Sequence, residues 1–238
     1  MQSLYDLGVD GAVVADSHGP MVNIIPDKLP DHTQLVRGSP RAFSMVAGAE
    51  GCDAAFFVGY HAKPGTQHGV LDHVMNSRVF QRVKLNGEDC SEFLFNGAYL
   101  GELGIPVVLV AGDKALLEED VKKFAPWAVR ASLKEGLGRY SAISPSMNQV
   151  ATTLKEACKD AMEVFNRKQA KLIRFEPPVN LEIAFTSTAY ADIANHLPHS
   201  KRVDGTTVSF EASTVSEAYM VMQLLMMAAQ GVRAQVDG

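Results

Sequence analysis

The pattern of apolar and polar positions alternates between strand-like and helix-like segments through the first half of the chain. Short runs rich in Val, Phe and Thr predict strands at Gly11–Ala15, Thr33–Val36, Ala54–Gly59, Val79–Leu85 and Val107–Val110. The third and fifth runs are continuously apolar, which is typical of strands covered on both faces of a parallel sheet. An apolar stripe predicts a helix over Ser91–Leu103. The pattern therefore predicts an α/β fold with a largely parallel central sheet flanked by helices.

The second half predicts a long helix followed by a smaller unit. Ser144 and Pro145 have the form of a helix start, with Ser at the N-cap and Pro in the first turn, and the stripe runs to about Asn166. After two prolines, the pattern predicts strand Leu181–Phe185, helix Ser187–Asn195, strand Thr206–Phe210 and helix Ser213–Ala229. We therefore predict an α/β core over residues 1–175 and a C-terminal α/β unit over residues 176–238. That unit is either packed on the core or swapped between subunits.

The last predicted helix is rich in methionine, with Met220, Met222, Met226 and Met227. Such a cluster can form a soft-metal site or a plastic binding groove. The helical spacing favours the alternative, a role in the core or at a subunit interface.

Composition narrows the class of protein. The chain has 238 residues, of which 47% are apolar and 21% charged, as in ordinary globular proteins. A net charge of -5 gives no basic footprint for nucleic acid. No apolar run is long enough to span a membrane, and the N-terminus does not resemble a signal peptide. We therefore predict a cytoplasmic protein without nucleic-acid or membrane partners.

The three cysteines, Cys52, Cys90 and Cys158, are widely spaced and include no Cys-x-x-Cys pair. This usage predicts reduced thiols in the cytoplasm. Cys90 precedes a predicted helix, where a thiol can have a lowered pKa, but a buried structural cysteine is the favoured interpretation.

Three histidines, His18, His61 and His73, each lie just beyond a short apolar run. The carboxyl ends of strands in α/β folds are where side chains converge on a site. Together with an acidic residue at the start of the next helix, Glu92, they fit a zinc hydrolase with mixed nitrogen and oxygen ligands. No His-Glu-x-x-His signature is present, so ordinary loop or core histidines remain the alternative.

Asp72 precedes His73, and a carboxylate that orients an imidazole is the usual arrangement for a general base. Adjacent residues of an extended segment point to opposite faces, so we do not expect Asp72 to be the partner of His73. The chain has no Gly-x-Gly-x-x-Gly, Walker or Gly-x-Ser-x-Gly motif, which argues against nucleotide binding and serine hydrolysis.

Several collinear motifs carry a family resemblance. They are Ala15-Asp16-Ser17-His18, Arg41-Ala42-Phe43-Ser44-Met45-Val46-Ala47-Gly48, Phe57-Val58-Gly59-Tyr60-His61-Ala62, Val110-Ala111-Gly112-Asp113, Ser144-Pro145 and Gly205-Thr206-Thr207-Val208. With these motifs, nearly the whole chain resembles the DppA-type zinc D-aminopeptidases.

The resemblance implies an aminopeptidase that hydrolyses short peptides bearing an N-terminal D-amino acid. It implies a two-zinc site and a ring-based, decamer-like homo-oligomer. His18 and His61 match zinc-binding histidines of the family. His73 matches its catalytic histidine, as general base, proton shuttle or oxyanion stabiliser.

The family's downstream zinc-binding Glu lies in a Gly-Glu-Leu-Gly motif, which here matches Glu102 literally. Counting back from the Val-Ala-Gly-Asp segment places the ligand at Glu92 instead. In one helix these residues are offset by roughly 80°, so both cannot face a single metal site. We favour Glu92.

The N-terminus departs from the family pattern. The family opens with a strand ending in Asp-x-Glu-Gly, which supplies a bridging Asp and a further Glu to the zinc pair, and no such motif precedes Asp16. A sequence that begins at an internal Met explains this, and a short, inactive relative is the alternative. Two other functions therefore stay open, a non-catalytic metal- or peptide-binding protein and a zinc amidase acting on a non-peptide amide.

Overall fold

The structure is a computed structural model that describes residues 1–236. Its helices are α1 (Gln2–Tyr5), α2 (Glu92–Glu102), α3 (Lys114–Leu116), α4 (Lys122–Phe124), α5 (Met147–Asn166), α6 (Thr188–Ala194) and α7 (Val215–Val236). Its strands are β1 (Ala12–Ala15), β2 (Thr33–Val36), β3 (Ala55–Tyr60), β4 (Phe80–Leu85), β5 (Glu88–Asp89), β6 (Val107–Asp113), β7 (Val129–Gly138), β8 (Ser141–Ile143), β9 (Val179–Phe185), β10 (Lys201–Arg202) and β11 (Thr207–Ala212). None of the described helices is both long and apolar enough to cross a membrane.

Parallel strands form one part of the fold. Strand β1 pairs with β2, and β3, β6 and β7 run parallel in that order, with β8 returning antiparallel along β7. Every residue of β6 is buried. Helix α5 packs against β6 and β7, and α2 packs against β3. This arrangement confirms the predicted α/β class, with parallel strands flanked by helices.

A second sheet is antiparallel, with the strand order β10-β11-β9-β4-β5. Helices α6 and α7 pack against β9 and β11 in this sheet. Strand β4 therefore pairs with a strand about a hundred residues later and does not join the parallel strands. This sheet takes strands from both sides of residue 175. The division of the chain into two units at that residue stays a prediction.

Two sequence predictions need correction in the middle of the chain. The long strand β7 and its return β8 were not predicted, because the alternation of β7 is interrupted by Lys134, Glu135 and Gly136. Helix α5 begins at Met147, so its N-cap is Ser146 and not Ser144. Ser146 and Gln149 form a reciprocal capping box, which satisfies two backbone N–H groups at the start of the helix.

The principal core lies between the antiparallel sheet, α2 and α7. The largest side chains in it include Phe93, Phe95, Tyr99 and Tyr219, all nearly inaccessible to solvent. Aromatic side chains buried in this way contribute most of the stabilising apolar area of a core. The core therefore fixes the position of α2, the helix whose first residue is Glu92.

Candidate metal centre

A cleft of about 560 Å³ opens beside the ends of β1 and β3 and the start of α2. The four residues predicted from the sequence, His18, His61, His73 and Glu92, all line it. The structure thus brings together side chains that are as far as 74 residues apart, since 92 − 18 = 74.

Glu92 lies at the centre of this group, in the first turn of α2. The N-cap Ser91 accepts a hydrogen bond from Leu94 N and so fixes the start of the helix. The Glu92 side chain is 10% exposed. Its Oε2 lies 3.3 Å from His61 Nε2, and its Oε1 lies 3.5 Å from His73 Nε2. Oε1 also accepts a hydrogen bond of 2.8 Å from Met75 N.

The two histidine rings stack on each other, with ring centroids 4.1 Å apart and planes inclined by 15°. One ligand atom from each of His61, His73 and Glu92 lies within 4.8 Å of the other two. Two imidazole nitrogens and a carboxylate oxygen are a donor set typical of catalytic zinc sites. The residues therefore fit a divalent transition metal.

The electrostatics of the three groups are interdependent. Burial alone lowers the pKa of His61, but its hydrogen bond to Glu92 and the carboxylate charge more than offset this, and the pKa lies above its ordinary value. Burial lowers the pKa of His73, helped by the charges of His61 and Arg139, and Glu92 opposes this only in part. Burial raises the pKa of Glu92, yet the two histidines bring it below its ordinary value.

His18 lies in the same cleft but outside this close group of three, and its side chain is exposed. The loop that carries it is held by buried Asp16, whose carboxylate accepts hydrogen bonds from Asn23 N and Ile24 N. The Asn23 side chain donates to His18 O at 2.6 Å. The loop conformation is therefore fixed by hydrogen bonds even though the imidazole itself is open to solvent.

Glu102 lies at the opposite end of α2 and contacts the start of α7. Its carboxylate accepts hydrogen bonds from Val215 N at 2.7 Å and from the Ser216 hydroxyl at 2.5 Å. Of the two acidic residues compared in the sequence, Glu92 is the one that reaches the histidines.

Helix α7 supplies four cleft residues, Gln223, Met226, Met227 and Gln230. The sequence gives no sign of the two glutamines, and for the Met-rich pattern it favours a core or interface role over a binding groove. Met222 is buried in the core, whereas Met226 and Met227 face the cleft. Among the residues that the structure describes, Glu92 is the only carboxylate lining the cleft.

Comparison with known proteins places this geometry in a family. The profile of the D-aminopeptidase family (Peptidase_M55) matches residues 1–224. The chain belongs to this family. The resemblance recognised from the motifs is thereby confirmed, and with it the prediction of a hydrolase of the aminopeptidase class.

Two comparisons, one of sequence and one of structure, give the similarity to D-aminopeptidases in detail. A D-aminopeptidase of Bacillus subtilis (strain 168) is 30% identical over 223 residues, covering 93% of this chain and 80% of its own. The solved structure of the Zn-dependent D-aminopeptidase DppA from Bacillus subtilis, described as a self-compartmentalizing protease, matches with a TM-score of 0.90 and 28% identity. That match covers 96% of this chain and 82% of the other. Nothing in these comparisons favours a non-catalytic relative or an amidase.

Proposed function

We propose that this chain is a zinc-dependent aminopeptidase that hydrolyses short peptides with an N-terminal D-amino acid. The observation that carries the proposal is the convergence of His61, His73 and Glu92 in one cleft of a D-aminopeptidase family member. The described similarity to a Zn-dependent D-aminopeptidase supports the choice of metal and of substrate.

We assign the metal to His18, His61 and Glu92, which would hold it through imidazole nitrogens and a carboxylate oxygen. Zinc bound there supplies Lewis-acid chemistry, polarising a peptide carbonyl and acidifying a water molecule. The described cleft offers a single carboxylate, so at least one zinc ion per chain is proposed, with two as the number that the family resemblance implies.

His73 is the proposed proton carrier. Its Nδ1 lies 2.5 Å from the carbonyl oxygen of Leu71, which can only accept, so Nδ1 carries the proton in the neutral ring. Nε2 then presents its lone pair to the cleft. Because the pKa of His73 is lowered, the ring is neutral near pH 7 and can take a proton from the attacking water. The same nitrogen can later protonate the leaving amine.

Hydrolysis of D-aminoacyl dipeptides beside their L-isomers tests the substrate class, together with zinc analysis of the purified protein. We expect zinc at one or two ions per chain and hydrolysis of the D-isomers only. Equal rates on both isomers would overturn the D-specificity, and protein active without bound zinc would overturn the metal assignment.

Three variants test the roles of the histidines. His61→Ala and His18→Ala should lower both zinc content and rate, whereas His73→Ala should abolish turnover while leaving zinc content nearly unchanged. If His73→Ala loses zinc and His18→Ala retains it, the close group of three is the ligand set and His18 has the other role.

We further propose that the protein is a homo-oligomer enclosing its active sites, ring-based and decamer-like as the resemblance implies. Support comes from the self-compartmentalizing relative and from exposed apolar side chains at the β7–β8 hairpin and the start of α5. They are Leu137, Tyr140, Ile143 and Met147, each at least 61% exposed. Native mass spectrometry should give a multimer that Tyr140→Glu weakens, and a monomer at all concentrations would refute the proposal.

A cytoplasmic location is also proposed. The three cysteines are free thiols, as expected for a protein kept in a reducing compartment. Fractionation of source cells, with the protein detected by antibody, checks this.

A further inference from the structure

The segment that carries His73 has an unfavourable backbone conformation. His68, Leu71 and Met75 have φ values of 58°, 52° and 58°, in the left-handed region that residues other than glycine rarely adopt. Such a conformation is unfavourable and persists only where the surrounding structure holds it in place. Groups outside the segment must therefore stabilise it.

Arg139, in the turn between β7 and β8, makes contacts along both sides of the segment. Its carbonyl oxygen accepts a hydrogen bond of 2.8 Å from Leu71 N. Its guanidinium Nη1 donates to the carbonyl oxygen of Asp72 at 2.7 Å and to Asp72 Oδ1 at 2.6 Å. The planar guanidinium can reach a backbone and a side-chain oxygen of one residue together, which an ammonium group does less well.

Both oxygens of the Asp72 carboxylate accept hydrogen bonds. Its second oxygen, Oδ2, accepts a hydrogen bond of 2.7 Å from Gly65 N, in the loop that follows His61. Asp72 is buried at 8% exposure. Its side chain joins Arg139 to the loop after His61.

The contacts form a continuous path from Arg139 to the imidazole. The backbone carbonyl of Arg139 accepts from Leu71 N, a contact that does not depend on the side chain at this position, and the carbonyl oxygen of Leu71 faces Nδ1 of His73. The guanidinium acts one residue further on, because it holds Asp72, which lies between Leu71 and His73 in the chain. A carbonyl held in place fixes both the ring orientation and the tautomer of a histidine. We infer that Arg139 is a positioning residue, whose guanidinium sets the imidazole of His73 from outside the cleft by fixing Asp72. The inference rests on the proposed function, in which His73 transfers the proton.

The first test compares Arg139→Ala and Arg139→Lys with a control, Arg130→Ala. Arg130 lies on the same strand, β7, and is exposed. Partners that orient an active-site group typically change activity about 10- to 100-fold, and we expect a fall of that size in kcat for Arg139→Ala. KM and zinc content should change less than twofold, Arg139→Lys should be intermediate, and Arg130→Ala should match the wild type. A KM effect alone, or loss of zinc, would overturn the inference.

A double-mutant cycle with Asp72→Ala separates positioning from general destabilisation. If the guanidinium acts through Asp72, the two changes are coupled, and the fall in kcat of the double variant is smaller than the product of the two single falls. A fall equal to that product would show that Arg139 acts through some other group.

A second readout does not depend on turnover. The zinc-loaded proteins are treated with diethyl pyrocarbonate, and the modification of His73 is followed by mass spectrometry of its peptide. Arg139→Ala should modify His73 at least several-fold faster than wild type, while Arg130→Ala should not. If the wild type cleaves no D-aminoacyl peptide, the proposed function fails. The positioning role is overturned by a different result, namely equal rates of His73 modification in the wild type and all variants.

Discussion

The two acidic residues of α2 give a prediction in which one helix carries two separable roles. Glu92→Gln and Glu102→Gln make the same chemical change, ten residues apart, and each replaces a carboxylate with an amide of equal size. Glu92 faces the histidines, and Glu102 accepts hydrogen bonds from the start of α7. We expect the first variant to lose zinc affinity and the second to lose stability.

The magnitudes follow from these surroundings. Removing one partner of a buried charge pair costs about 3–5 kcal/mol, so zinc affinity in Glu92→Gln should fall at least about 100-fold, at 1.4 kcal/mol per factor of ten. Glu102 acts at a helix N-terminus near the surface, where a negative charge contributes about 0.3–1 kcal/mol. For a chain of this size, that loss lowers Tm by roughly 1–4 °C.

Zinc affinity is measured by competition with a chromogenic chelator, and Tm by calorimetry on metal-free protein. Glu92→Gln should weaken zinc binding and also lower the Tm of the metal-free protein, because it removes the carboxylate paired with His61, whereas Glu102→Gln should lower Tm alone. Wild-type zinc affinity in Glu92→Gln, or weakened zinc binding in Glu102→Gln, would refute the assignment of the ligand.

Four further predictions concern stability and thiol chemistry. Gly112→Ala places a Cβ 2.0 Å from Tyr60 O and should destabilise the β3–β6 pair by about 1–3 kcal/mol or more in urea unfolding. Gly231→Ala meets open space within α7, so the same assay should show a gain of about 0.5–1 kcal/mol. Burial raises the pKa of Asp16, but backbone N–H donors bring the pKa below its ordinary value of 3.8. The stabilisation that the Asp16 carboxylate provides is therefore present above pH 3.8 and is lost as the pH falls through the lowered pKa. Asp16→Asn should flatten that acid limb in chemical denaturation, and an unchanged limb would argue against the hydrogen bonds. Burial also raises the pKa of the Cys90 thiol, and Ellman's reagent at pH 8 should therefore label the other two cysteines first.

The dense apolar runs made much of the fold predictable. Strands β3 and β6 and helix α2 lie within a few residues of their predicted bounds, because local hydrophobic patterns determine them. The pairing of β4 with β9 depends on residues about a hundred positions apart, which no local pattern records. The same holds for β7, whose first half pairs with β6 and whose polar stretch continues as a strand by pairing with β8.

The candidate site was predictable to a similar extent. His61 follows a strand and Glu92 begins a helix, and this placement predicted that their side chains lie close together, because strand ends and helix starts converge on one edge of the sheet in α/β folds. The sequence could not separate core from cleft on α7, because Met226 and Met227 share the helical spacing of the buried Met222. Arg139 lies in a turn far along the chain, and only the tertiary structure brings it to Asp72.

The donors of the cleft belong to two different sheets. His61 follows β3 of the parallel sheet, and Glu92 begins the helix that follows β5 of the antiparallel sheet. Their separation is therefore set by how the sheets dock, and close-packed interiors transmit small displacements over such distances. Substitutions at Val83 or Phe185, which are fully buried in the core and line no part of the cleft, are therefore expected to shift the spacing of the donors. Selection for the right metal during evolution then acts on core packing as well as on the ligands themselves.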